Sequence, residues 1–136
     1  MDRWKIHTAP SIPNFDNGDK TKLVKNQVIA IEPFASSGSG LIFEGKGSEI
    51  YQLEKEGNIR DSNARKILKY VSEKYKTLPF AKRQLPFNKL QLTVGLSALK
   101  RNGFLHEYGV LPEKKEGSLV SQHEHTLIVG DRVTTK

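Results

Sequence analysis

A strand-like apolar run, Val28-Ile29-Ala30-Ile31-Glu32-Pro33-Phe34-Ala35, carries a carboxylate, and a second run far downstream, Ser121-Gln122-His123-Glu124-His125-Thr126-Leu127-Ile128-Val129, carries another. No other feature constrains the fold as much, because a carboxylate in an apolar strand is costly to bury unless a cation, a proton or several donors compensate it. Two such carboxylates in one chain suggest a shared metal site. By strand alternation Glu32 shares a face with Val28, Ala30 and Phe34, surroundings that disfavour its charged form unless an opposite charge lies close. On residues alone, a hydrogen-bonded glutamate or one at a sheet margin is the commoner arrangement.

Glu124 shares its face with Val120, Gln122, Thr126 and Ile128, while His123 and His125 project to the opposite side, so the three cannot meet one ion on a straight strand. The His-Glu-His triplet could suggest zinc held by the two histidines. It lacks the helical HExxH spacing, however, and two sheet-surface histidines are the commoner outcome.

Between the two runs the pattern changes. Residues 25–35 are apolar on both faces and predict a strand covered on both sides. Ser36-Ser37-Gly38-Ser39-Gly40 interrupts it; without the spacing of a phosphate-binding loop this reads as a tight strand connection. Residues 41–43 and 50–53 are further strand candidates, expected in the sheet that holds Glu32. A helix follows with Asp61 or Ser62 as cap, since Ala64, Ile67, Leu68, Val71 and Tyr75 recur on one helical face. A short second helix is expected after Thr77-Leu78-Pro79-Phe80 through Leu85. A third holds Leu92, Leu96 and Leu99 and stops at Asn102-Gly103. Residues 105–111 and the turn 113–117 then form a wing-like return before the strand at 118–129. Three helices and a following strand resemble a winged helix.

Of the net charge of +7, more than all lies in one block: residues 60–101 hold eleven Lys or Arg against only Asp61 and Glu73. Two readings stand, a solvated helical surface or a face for a polyanion such as ribosomal RNA. No run approaches the roughly 18 apolar residues of a membrane span, and the first ten residues lack the apolar stretch of a signal peptide. The expectation is a cytoplasmic chain with no membrane partner. Zero cysteines exclude disulfides and thiolate ligands, leaving oxygen and imidazole donors for any metal.

Four stretches carry a family resemblance. AIEPFASSG and SQHEHTLIV resemble the two glutamate-bearing strands of the methionine aminopeptidases, enzymes of the pita-bread fold that hold two divalent metal ions. RWKIHTAPSIP resembles the segment with the family's substrate-facing histidine, and KTLPFAKRQL resembles a motif of the type II branch in an archaeal-like form. The resemblance reaches from Arg3 to Val129 and covers the C-terminal half of the family's catalytic domain. It implies an α+β fold, half of a pita-bread (creatinase/aminopeptidase) domain: a first catalytic part at 1–59, a winged-helix-like helical insertion at 60–112 and the final strands at 113–136.

The same resemblance implies removal of the initiator methionine from nascent proteins with two divalent ions, cobalt, manganese, iron or zinc. Glu32 then binds one ion and Glu124 bridges both, His7 faces the substrate amide, and Tyr108 belongs to the methionine side-chain pocket. Ile50 stands where some relatives have a pocket histidine, so that polar contact does not carry over. The family's remaining ligands, two aspartates and a histidine, lie upstream of the matching segment. The expectation is therefore a fragment or a truncated frame, inactive alone and monomeric when full length. Its partners would be nascent-chain N-termini and, through the basic insertion, the ribosome. The alternative is a non-catalytic pita-bread homologue that binds ribosome or nucleic acid through that insertion.

Overall fold

The computed structural model describes residues 4–13 and 15–135. Arg3, where the first family-like stretch begins, and Met1 and Lys136, the outer limits of the expected segments, lie outside the described residues. In chain order the elements are β1 (Val28–Ile31), β2 (Phe34–Ser36), β3 (Gly47–Leu53), α1 (Ser62–Lys74), β4 (Phe80–Ala81), a 3-10 turn (Lys82–Gln84), α2 (Lys89–Arg101), β5 (Leu105–Gly109), β6 (Val120–Gln122) and β7 (His125–Ile128). The architecture is mixed α and β. Among the described residues no helix is long and apolar enough to cross a membrane.

The chain divides into two compact units, Met1–Phe43 with Leu111–Lys136, and Glu44–Val110. In the second, β3 is the centre of a three-stranded antiparallel sheet ordered β4-β3-β5, with Tyr51 opposite Phe80 on one side and Glu107 on the other. Residues 50–53 therefore pair with the helical unit and not with the strand that precedes Glu32. The physical reason lies in the side chains: Tyr51 and Leu53 are buried against α1 and α2, so β3 has its apolar partners there. The unit begins at Glu44, which keeps β3 with β4 and β5.

Local signals explain the helices. The Asp61 carboxylate accepts from the Ala64 backbone N–H at 2.7 Å and caps α1, whose Ala64, Ile67, Leu68 and Val71 face the core. Asn88 and Gln91 form a reciprocal capping box at the start of α2, with bonds of 2.9 and 3.1 Å. Gly95 lets the two helices approach, since a Cβ there would lie 2.6 Å from Ile67 Cδ1 and 3.1 Å from the Ala64 backbone nitrogen. The expected second helix is only the 3-10 turn, because Pro86 stops it after three residues. Phe80, Ile67, Leu99 and Val71 are the largest fully buried side chains, each stabilising the unit by about 1.5–3 kcal/mol.

The first unit is built from two short ladders. β1 pairs with β7 and β2 pairs with β6, both antiparallel. The single strand expected over 25–35 is thus two, and residues 41–43 contribute one bridge, Ile42 to Glu113. Nor is β1 covered on both sides: Ile29 is buried, but Ala30, on the opposite face, is exposed, and farther along Ile31 is 49% exposed and Phe34, in β2, 53%.

Candidate metal-ligand pair

Pro33 explains why the ladder is split. It has no N–H to give, so pairing stops after Ile31 and resumes at Phe34. The partner strand breaks at the matching place, between Gln122 and His125. Both ladders keep one register across the gap: Ile31 stands opposite His125 and Phe34 opposite Gln122, which places Glu32 opposite Glu124 and Pro33 opposite His123. A backbone bond spans the gap, from the His123 N–H to the Pro33 carbonyl at 3.3 Å. Opposed positions of an antiparallel pair lie about 4.5–5.5 Å apart between Cβ atoms, and two like charges so placed repel unless a cation lies between them.

Both carboxylates are exposed, contrary to the apolar surroundings expected for Glu32. The broken ladder accounts for this, because at its gap neither strand continues and the flanking Ile31 and Phe34 are themselves half-exposed. Glu32 accepts a hydrogen bond from Gln122 Nε2 at 2.8 Å. His123 and His125 turn toward each other, with Nε2 atoms 2.9 Å apart. Among the described residues no group of three or more His, Asp or Glu side chains is gathered as a metal site. The two opposed carboxylates are oxygen donors suited to a divalent ion but do not by themselves complete a two-metal centre.

His7 is exposed, with left-handed backbone at φ 52°, and among the described residues no hydrogen bond joins it to Glu32 or Glu124. Tyr108 lies on β5 in the other unit. Its hydroxyl donates to Gln52 Oε1, its carbonyl accepts from Ser48 Oγ at 2.8 Å, and the His106 ring meets it edge-on at 4.8 Å. Burial, with Glu54 nearby, holds that hydroxyl above its usual pKa. Ile50 is 39% exposed.

Glu113 was not foreseen. It is the one buried charged side chain among the described residues, 7% exposed. Its carboxylate accepts from Ser36 Oγ at 2.5 Å, Ser39 Oγ at 2.6 Å, and the backbone N–H groups of Ser39, Gly40 and Lys115 at 3.1, 3.1 and 3.3 Å. The Ser36–Gly40 loop therefore wraps an internal carboxylate. Gly38 permits the wrap, since a Cβ there would stand 2.6 Å from the Glu113 carboxyl carbon. The hydroxyl of Ser36, then that of Ser39, holds the Glu113 pKa down to about 2. Nothing in Leu-Pro-Glu-Lys-Lys marks this residue; its serine and glycine donors lie more than seventy residues away in sequence.

No family model matches the chain. By sequence it is 47% identical over 133 residues to the methionine aminopeptidase of Archaeoglobus fulgidus, an alignment covering 96% of this chain and 44% of that protein. It is 33% identical over 132 residues to methionine aminopeptidase 2-2 of Colletotrichum graminicola, covering 95% of this chain and 30% of that one. Among solved structures, one of a thermophilic Arx1 superposes with a TM-score of 0.63 at 24% identity, over 75% of this chain and 27% of the other, a likeness of fold. The relatives at the level of sequence are thus aminopeptidases, a class of hydrolases. Over nearly its whole length the chain is similar to proteins named methionine aminopeptidase, and it spans under half the length of the relatives it matches.

Proposed function

We propose that these residues are part of the catalytic domain of a type II methionine aminopeptidase acting on nascent-chain N-termini, with Glu32 and Glu124 as carboxylate ligands of a divalent metal pair. The observation that carries this reading is the opposition of the two glutamates across coincident strand breaks, in a chain 47% identical to a named methionine aminopeptidase. The two carboxylates supply negative charge from facing strands, and Gln122 orients Glu32 through its amide. His7 faces the scissile amide, and Tyr108, oriented by Gln52, lines the side-chain pocket. The helical unit is a winged-helix-like insertion in half of a pita-bread domain, expected over 60–112 and extended by β3. Divalent ions at such a centre lower the pKa of a bound water and polarise the carbonyl.

With two of the family's five ligands, the chain alone binds metal weakly and does not turn over. Titration with Mn2+, followed by water-proton relaxation, should show weak binding that Glu32→Gln and Glu124→Gln each remove. Binding unchanged in both variants would reject the ligand assignment. Incubation with Mn2+ and a Met-Ala-Ser peptide should release no methionine above the uncatalysed level; robust release abolished by Glu124→Gln would reject the requirement for further ligands.

A further inference from the structure

The histidines beside Glu124 have a geometry that the carboxylate pair does not use. His123 and His125 sit two residues apart at the mouth of β7, their ring centroids 4.6 Å apart and inclined at 74°. Their Nε2 atoms are 2.9 Å apart. His125 Nδ1 lies 2.7 Å from the Thr135 carbonyl oxygen, which can only accept, so Nδ1 carries the proton and Nε2 of His125 presents its lone pair. That carbonyl is itself fixed. Thr135 Oγ1 accepts from the Thr126 N–H at 2.8 Å, and the Thr134 N–H donates to the Thr126 carbonyl at 2.8 Å, which ties the returning chain to β7. An imidazole whose far nitrogen donates to a fixed carbonyl is oriented and made more basic at the near one, the arrangement that metal-binding histidines show.

We propose that His123 and His125 form a two-imidazole chelate for a borderline divalent transition-metal ion of the nickel(II) or copper(II) type, bound through the two Nε2 atoms. In the metal-free pair the Nε2–H of His123 donates to Nε2 of His125. Shifting that proton to Nδ1 of the neutral His123 ring opens the second lone pair without changing the charge. The spacing selects the metal. Bonds of about 2.0–2.1 Å to two nitrogens 2.9 Å apart subtend roughly 90°. That is the angle of octahedral or tetragonal coordination and narrower than a tetrahedral ion takes, and the affinity order among such ions favours copper, then nickel. Water completes the shell, since His123 is exposed and His125 half-buried. The site is independent of the aminopeptidase reading, which uses hard oxygen donors on neighbouring residues.

Calorimetric titration of the chain with Ni2+ tests this. One equivalent should bind the wild type. His123→Ala and His125→Ala should each weaken binding at least tenfold, while Glu32→Gln and Glu124→Gln should leave it within twofold. Equal affinity in the histidine variants, or a loss that follows the glutamate variants, would overturn the site. Should a histidine variant fail to fold, Cu2+ bound to the wild type decides the matter by electron paramagnetic resonance. Coupling to two imidazole nitrogens is expected, and coupling to one or none overturns the chelate.

Discussion

The unit Glu44–Val110 buries fourteen residues in one apolar cluster, whereas the unit formed by the outer segments buries, among its described residues, one apolar side chain, Ile29, and one charged one, Glu113. The first is held by burial and by capped helices. The second rests on short ladders and on a carboxylate that gathers hydroxyls and amides. Apolar burial scales with area and is insensitive to pH, while a carboxylate clamp is a protonation-dependent bond set. The two halves of the molecule should therefore fail under different stresses, and substitutions can make or break that contrast.

The largest effect is expected in the apolar unit. Phe80→Ala, at a residue 2% exposed, should cost about 3–5 kcal/mol in urea unfolding; a cost under about 1 kcal/mol would mean that the cluster is not what holds that unit. Next stands the clamp. The Glu113 carboxyl titrates near 2 in the folded chain against an ordinary value of 4.5. Its contribution is therefore complete above about pH 4.5 and is lost as pH falls toward about 2. Glu113→Gln should lower the melting temperature most at neutral pH, and the gap from wild type should close across that window. Parallel melting curves for the two proteins would remove the clamp from the account. Asp61→Ala should cost about 1 kcal/mol through the lost cap of α1, read as a fall in the urea midpoint at constant slope. The smallest effect is expected at Phe34, exposed in β2: Phe34→Ser should change stability by no more than about 0.5 kcal/mol. A loss as large as that of Phe80→Ala, together with a change in mass by light scattering, would show that a second copy covers this face.

The helical unit was legible because its signals are local. Asp61 followed by apolar residues at helical spacing, and Asn102-Gly103 after Leu99, mark both helices within a residue or two of their observed ends. The glutamates were legible as positions but not as environments. Alternation along 28–35 treats Glu32 as an interior residue, yet Pro33 splits the strand beside it and leaves the carboxylate exposed. Partner choice was hidden for a similar reason. Residues 50–53 carry no mark of which sheet they join, and buried Tyr51 and Leu53 settle it only once α1 and α2 are folded. The Glu113 clamp depends on Ser36, seventy-seven residues away, and the fixed His125 tautomer on Thr135 after the chain has turned back, and no spacing rule links either pair.

The closed ends of the helical unit bear on how the outer ladders come together. Gly45 N–H donates to the Val110 carbonyl and Val110 N–H to the Lys46 carbonyl, each at 2.8 Å, so once this unit folds its entry and exit are pinned side by side. The strands around Glu32 and Gln122, ninety residues apart in sequence, then meet as the ends of a loop of effective length on the order of twenty residues. Two halvings of loop length save about 1.2 kcal/mol of closure entropy. A helical unit closed at these ends acts as a clasp that shortens the search by which Glu32 finds the strand of Glu124.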